Sequence, residues 1–217
     1  MDPNTNLSNR LTLYKYFPLR DLVRFAATLH YGLYAALPDQ LNDPMEGHWF
    51  SPSGPRDLQV SKRRALKEQR VCCFSKIPHS TLMWAHYADQ FAGACLEVEL
   101  DKFAGQILQA TEVVYSEVPH AEFDSTQTPD EYARYCLSRK SKEWSYEEEV
   151  RLFWDAPIIG TPPVYLRRIL LGPRTQPEVR RVVRACTPIE VDVLTTRLCK
   201  TGKVEARDLV QTAPNER

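Results

Sequence analysis

Two periods of apolar and polar positions run through the chain. Residues 11–16 alternate with period two and are rich in tyrosine, which predicts a strand. Pro18 then sits where a helix can start, and Leu19, Leu22, Val23, Ala26 and Leu29 share one helical face that Gly32 closes. A short strand over 33–36 follows. Residues 37–56 carry Pro38, Pro44, Pro52, Gly54 and Pro55 and are expected to form a long irregular loop, a kind of segment that often holds function. A charged, exposed helix over 57–69 leads into an apolar strand over 71–74. Ser80 or Thr81 caps a helix through Leu82, Trp84, His86 and Asp89. Gly93 opens a strand over 94–100 with Leu96, Val98 and Leu100 on one face and Glu97 and Glu99 on the other. Further strands are expected over 113–115, 147–154, 164–171 and 189–194, with helices from Pro129 and over 177–184. Short strands with scattered helices and few regular β-α-β units predict an α+β domain with mainly antiparallel sheets. Residues 1–10 read as a loose arm and 11–217 as a single domain.

Composition narrows the function classes. The 217 residues include 28 basic and 28 acidic side chains, so the net charge is zero. A neutral chain argues against sequence-blind nucleic-acid binding through bulk charge. The balance is uneven: residues 112–155 hold 11 acidic and 5 basic side chains, while 163–217 hold 11 basic and 6 acidic ones. The commonplace interpretation is a solvated surface, and the sharper one is a basic face that meets a polyanion. The 8 glycines form neither G-x-G-x-x-G nor G-x-x-x-x-G-K-[ST], so any nucleotide must be held without those phosphate cradles. Six cysteines without C-x-x-C spacing read as reduced, mostly buried thiols. The histidines lack H-x-x-x-H spacing, which argues against a zinc site. The polar start shows no secretory signal and no apolar stretch is long enough to cross a bilayer, so a cytoplasmic protein without membrane contact is expected.

Candidate chemistry concentrates in four stretches. On a strand over 147–154, Glu148, Val150, Leu152 and Trp154 face one way and Glu147, Glu149, Arg151 and Phe153 the other. Two carboxylates one strand period apart repel unless a cation offsets them, and Arg151 is placed to do so. A surface ion-pair row has the same pattern. On the helix through 80–89, Met83, His86 and Tyr87 share a stripe with Trp84 beside it, either as core or as a wall that stacks on a flat ligand. Asn42 and Asp43 before Pro44 fit an Asx-turn, and Glu46 follows without that explanation. Cys73 lies in an apolar run with no neighbouring base, which favours packing over nucleophilic chemistry.

Read in order, Leu13-Tyr14-Lys15-Tyr16, Asn42-Asp43-Pro44-Met45-Glu46, Cys73-Phe74-Ser75, Met83-Trp84-Ala85-His86-Tyr87-Ala88-Asp89, Gly93 with Cys95 and Glu97, Trp144 to Arg151, and Ile169-Leu170-Leu171-Gly172 resemble a widespread bacterial family of uncharacterised domains over residues 11–175. More distantly the pattern resembles the ADP-ribosyltransferase fold, nearest to bacterial toxins that modify nucleic acid. The resemblance implies two small, mainly antiparallel sheets around a cleft that takes NAD as substrate. It implies that Lys15, Ser75 and Glu149 occupy the three motif positions, with Glu149 catalytic and Glu147 beside it orienting the acceptor. The enzymes carry arginine or histidine where this chain has Lys15, which spreads the implied ribose contact over Lys15, Tyr14 and Tyr16. Asn42, Asp43, Ser75, Trp84, His86, Tyr87 and Arg151 complete the implied NAD site. The implied activity is ADP-ribosyl transfer to a nucleic acid or protein, or NAD hydrolysis, in a toxin or antiphage effector with an antitoxin or immunity partner. Two other classes fit the residues: a non-catalytic nucleotide- or protein-binding module, and a metal-dependent nuclease built on Asp43, Glu46, His86 and Asp89.

Overall fold

The computed structural model describes residues 10–47, 54–101, 110–117, 127–160 and 164–206; all but the last residue of the expected N-terminal arm lies outside them. In chain order the elements are β1 (Arg10–Phe17), α1 (Leu22–Tyr31), β2 (Leu33–Tyr34), α2 (Arg56–Glu68), β3 (Arg70–Ser75), α3 (Thr81–Tyr87), β4 (Ala94–Asp101), β5 (Thr111–Glu112), β6 (Val114–Ser116), α4 (Pro129–Cys136), β7 (Arg139–Ser141), β8 (Glu149–Trp154), β9 (Ile158–Ile159), β10 (Val164–Leu171), α5 (Pro177–Cys186), β11 (Asp192–Leu198) and β12 (Val204–Ala206). This is an α+β fold. Its main sheet has eight strands in the order β12-β11-β10-β4-β1-β3-β8-β5, antiparallel except for β10 and β11, which run parallel with α5 between them. Two small pairs, β2-β9 and β6-β7, lie outside it.

Two separate sheets were expected, and the strands instead form one hydrogen-bonded order. The junction is slender, however. β1 pairs with β4 along all eight of its residues but meets β3 in register only at Tyr14 and Ser75. Beyond that pair the two strands part, and the Lys15 ammonium reaches across to donate to the Cys73 carbonyl at 2.9 Å. A cleft opens where the sheet divides.

Side-chain alternation builds a core on each face. Leu13, Phe74, Leu96, Val98, Val150, Leu152 and Ile169 pack with Phe25 of α1 and Val183 of α5. On the opposite face Tyr16, Cys95, Leu170 and Leu194 pack with Met83 and Trp84 of α3. The predicted faces of β4 hold: Leu96, Val98 and Leu100 are buried in the first core, while Glu97 and Glu99 pair with Arg168 and Arg167.

Several boundaries move for local reasons. Asp21, not Pro18, begins α1, because its carboxylate accepts from the Arg24 amide at 2.9 Å, and Val23 then faces solvent. The expected exposed helix is α2, but its Lys62 is fully buried, with the ammonium 5.7 Å from the centre of the Tyr132 ring. The loop over 37–56 contains a 3-10 turn, Pro38–Gln40, and its end already belongs to α2; residues 48–53 lie outside the description. The strand expected from 147 starts at Glu149, since Lys142–Glu147 form a 3-10 helix and Glu148 takes φ 43°. The strand expected over 189–194 is displaced to β11, with Ile189 fully exposed ahead of it.

One backbone feature borders the cleft. Asp89, Gln90 and Phe91 all have positive φ, of 45°, 52° and 74°. Left-handed backbone costs roughly 1–2 kcal/mol per non-glycine residue, so three in a row require support. Gly172 supplies part of it: a Cβ there would lie 2.1 Å from the Phe91 carbonyl oxygen, which instead accepts from the Arg174 amide. The segment directs Asp89 onto Arg20, whose amide donates to its carboxylate at 2.7 Å.

Candidate active site

The register across the junction aligns three of the predicted residues. Tyr14 of β1 stands opposite Ser75 of β3, and Ser75 opposite Glu149 of β8. Cross-strand partners share a face, so these side chains form a row, extended on the other side by Glu97 opposite Tyr14. The cleft beside this row has a volume of about 860 Å³. Its walls include Lys15, Tyr16, Asn42, Cys73, His86, Tyr87, Glu147 and Arg151, with Arg20, Arg24 and Tyr34 also on its lining.

At one end lies a buried charge cluster. Arg151 is 1% exposed and all five of its N–H groups are used. Nε and Nη2 donate to the two oxygens of Glu149, both at 2.9 Å; Nη2 and Nη1 donate to those of Glu46, at 2.5 and 2.8 Å; Nη1 also donates to the Leu137 carbonyl at 2.6 Å. Lys140 sits among the three carboxylates, 2.7 Å from Glu147, 3.5 Å from Glu46 and 3.6 Å from Glu149. Tyr87 donates to the second oxygen of Glu147 at 2.5 Å and accepts from the Asn42 amide at 3.1 Å. The Glu149 amide donates to the Tyr115 hydroxyl. A surface ion-pair row is thereby overturned: Glu46, Lys140, Glu147, Glu149 and Arg151 are all buried.

Three carboxylates face two cations, and the surroundings drive neighbouring glutamates apart. Burial pushes the Glu147 carboxyl up, with Glu149 adding to the rise, and Lys140 offsets this only in part. Burial acts in the same upward sense on Glu149, but Arg151 and then Lys140 outweigh it and hold the carboxyl at about 2. Burial disfavours the Lys140 ammonium too, yet Glu149, Glu147 and Glu46 together raise its value. Adjacent carboxyl groups with divergent values are suited to different tasks, one permanently charged and one able to exchange a proton.

The same divergence sets the acid response of the fold. Glu149 lies below its ordinary value of 4.5, so its stabilisation is complete above that pH and is lost as the pH falls towards 2. The loss is on the order of 3 kcal/mol. Glu147 acts in the opposite sense, because protonation relieves its burial. The Lys140 contribution stands below its ordinary 10.5 and is lost at higher pH. Denaturant midpoints recorded from neutral pH down to pH 2 should fall through this window, and Glu149→Gln should flatten the fall.

The remaining predicted residues separate into those on the cleft and those away from it. Tyr14, Lys15, Tyr16, Asn42, Ser75, His86 and Tyr87 line it. Trp84 is not on the lining: it is wholly buried, its indole N–H donates to the Pro78 carbonyl, and it packs edge-on against Tyr16. No ring face is left there for a ligand. Asp43 also turns away, accepting from the Met45 amide in the Asx-turn. The proposed nuclease set is split, with Glu46 bound to Arg151, Asp89 to Arg20 and Asp43 in its turn. Among the described residues no group of three or more His, Cys, Asp or Glu side chains is placed to hold a metal ion.

Residues 83–152 match DUF2971, a family described as a protein of unknown function. No curated protein and no solved structure matches the chain. The DUF2971 segment runs from α3 through most of β8, so it contains Tyr87, Lys140, Glu147, Glu149 and Arg151. Tyr14, Lys15, Asn42, Glu46 and Ser75 reach the same cleft from outside it. Among the described residues no helix is long and apolar enough to cross a membrane.

Proposed function

We propose that the cleft binds NAD and that the protein cleaves the nicotinamide–ribose bond, passing ADP-ribose to an acceptor or to water. The observation that carries this is the Tyr14–Ser75–Glu149 row at the point where the sheet divides, beside a cleft large enough for a nucleotide ligand. The resemblance implies Lys15, Ser75 and Glu149 at the three strand positions. Ser75 and Glu149 stand in this row, but Tyr14 takes the first place, and Lys15 alternates to the other face of β1, its ammonium on the Cys73 carbonyl. The distribution of charge supports a ligand with two unlike parts. Glu149 and Glu147 supply carboxylates, while Arg20 and Arg24 supply guanidinium groups suited to phosphates, with the Arg24 guanidinium 5.8 Å from the centre of the Tyr34 ring.

The chemistry needs one ionised carboxylate near the ribose. Bond cleavage builds positive charge on the sugar, as in glycoside hydrolysis, and nicotinamide leaves neutral. Glu149 is held charged and immobile by Arg151, so little reorganisation accompanies the stabilisation. Glu147, raised and linked to Tyr87, is the group suited to take a proton from the acceptor. A binding module gains support from the complete engagement of Glu149 by Arg151, and turnover separates the two. Incubation with NAD should release nicotinamide with saturable kinetics. Saturable NAD binding without any release, in the presence of nucleic acid and protein acceptors, would favour the module; no binding at all would sink both.

A further inference from the structure

Glu147 is poorly placed to meet an acceptor by itself. It is 3% exposed, and each of its oxygens is already engaged. Oε2 accepts from the buried Lys140 ammonium at 2.7 Å, and Oε1 accepts from the Tyr87 hydroxyl at 2.5 Å. Tyr87 differs from its partner. It is the last residue of α3, it is half-buried, and its side chain borders the cleft. A third residue completes the chain. Asn42 is exposed on the cleft wall, and its Nδ2 donates to the Tyr87 hydroxyl at 3.1 Å. The loop that carries Asn42 is pinned four residues later by Glu46 on Arg151, with the Asp43 Asx-turn between.

The polarity of this chain follows from the groups in it. A tyrosine hydroxyl has one proton to give and two lone pairs to offer. An ionised carboxylate only accepts, so the Tyr87 proton points at Glu147 and the partner on its other side must donate. The Asn42 amide nitrogen does so. Turned over, the Asn42 carbonyl would compete with Glu147 for the same proton. The second lone pair of the Tyr87 oxygen has no donor among the described residues. Burial, reinforced by Glu147, pushes the Tyr87 phenol up, so it is neutral and holds a proton that can be passed on.

We propose that Tyr87 is the residue that meets the acceptor, its oxygen taking the acceptor's proton as its own proton passes to Glu147, and that Asn42 orients the hydroxyl for this relay. The inference rests on the NAD reading and deepens it. The acceptor atom bonds to ribose C1′ as the C1′–nicotinamide bond breaks, and nicotinamide leaves with that electron pair. The acceptor's proton moves to the Tyr87 oxygen, and the Tyr87 proton moves to Glu147 Oε1. Lys140 stays on Oε2 throughout. The phenol ends neutral, Glu147 ends protonated, and the bond between them is reversed. Asn42 touches neither the acceptor nor the ribose, so it is a positioning residue.

Two small acceptors that differ in one proton test the relay. Methanol must shed a proton when it is captured, and azide has none to shed. With NAD and both present, the protein should form methyl-ADP-ribose and azido-ADP-ribose, separated by chromatography. The ratio of the two is the reading, because weakened folding or NAD binding lowers both together. Tyr87→Phe should lower the methyl-to-azido ratio by about 100- to 10,000-fold, the range of general base catalysis. Tyr87→Phe/Glu147→Gln should lower it no further than either change alone, since residues that act as a unit are not additive. Asn42→Asp sets an acceptor against the hydroxyl and should lower the ratio more than Asn42→Ala; a residue that only holds the loop gives the reverse order. Thermal midpoints control for folding, and the Asn42 pair carries the test if Tyr87→Phe fails to fold. An unchanged ratio in Tyr87→Phe, additive losses in the double variant, or a larger loss in Asn42→Ala than in Asn42→Asp would overturn the relay alone. So would a parent that forms only the azido product. A parent that releases no nicotinamide overturns the NAD reading, and the relay with it.

Discussion

Arg151→Ala should destabilise the protein by about 3–5 kcal/mol, the usual consequence of removing one partner from a buried ion pair. The substitution strands two carboxylates at once. Glu46 and Glu149 are each bound through both oxygens by the guanidinium, and Lys140 lies 3.5 and 3.6 Å from them, too far to replace those bonds. The Leu137 carbonyl also loses its donor. For a chain of this size the loss corresponds to a fall in thermal midpoint of roughly 6–20 °C. Thermal and denaturant unfolding check it. Adding Glu46→Gln to Arg151→Ala should recover part of the loss by removing one stranded charge, giving non-additivity in a double-mutant cycle. A single-variant loss below about 1 kcal/mol, the range of exposed pairs, would mean that water reaches the cluster.

That coupling also depends on contacts that strand periodicity does not carry. Period-two alternation placed Glu149 and Arg151 on one face, and they share it. The same alternation suggested a surface row, because strand periodicity says which residues lie together and not what covers them. The cover is Glu46, 105 positions away on a loop, and Lys140, whose own neighbourhood gives no sign of it. Alternation alone extends the strand back to Glu147, which sits before it, across a left-handed Glu148, yet Lys140 and Tyr87 bring it to the same cluster. Trp84 illustrates the converse limit. A helical stripe cannot distinguish a ring that faces the core from one that lines a cleft, and the buried bond to Pro78 decides for the core. The fold class was legible because periodicity and turn residues are local. The cleft was not, since it depends on β1 and β3 parting after one registered pair.

Glu149→Gln and Glu147→Gln should separate the two carboxylates by their kinetics. If Glu149 stabilises charge developing on the ribose, its amide replacement should lower nicotinamide release by about 100- to 1,000-fold, the scale seen when a preorganised electrostatic contact is lost. The loss should fall on kcat, with NAD affinity changed far less, because the interaction strengthens only as the bond breaks. Glu147→Gln should leave nicotinamide release to water closer to the parent and chiefly impair transfer to an acceptor, by about 100- to 10,000-fold if it serves as the base. The pH dependence supplies an independent reading. Glu149 stays ionised down to about pH 2, so it imposes no limb on the profile at neutral or mildly acidic pH. Glu147 is raised above its ordinary 4.5, so transfer should decline as the pH falls through its shifted value, and that limb should vanish in Glu147→Gln. The geometry makes the two substitutions unequal in their structural cost as well. Glu149 bonds Arg151 through both oxygens, whereas Glu147 takes one bond from Lys140 and one from Tyr87. Unfolding midpoints must therefore accompany the rates. A Glu149→Gln protein that remains folded and binds NAD but releases nicotinamide at the parent rate would remove Glu149 from the chemistry and leave it as an anchor for Arg151.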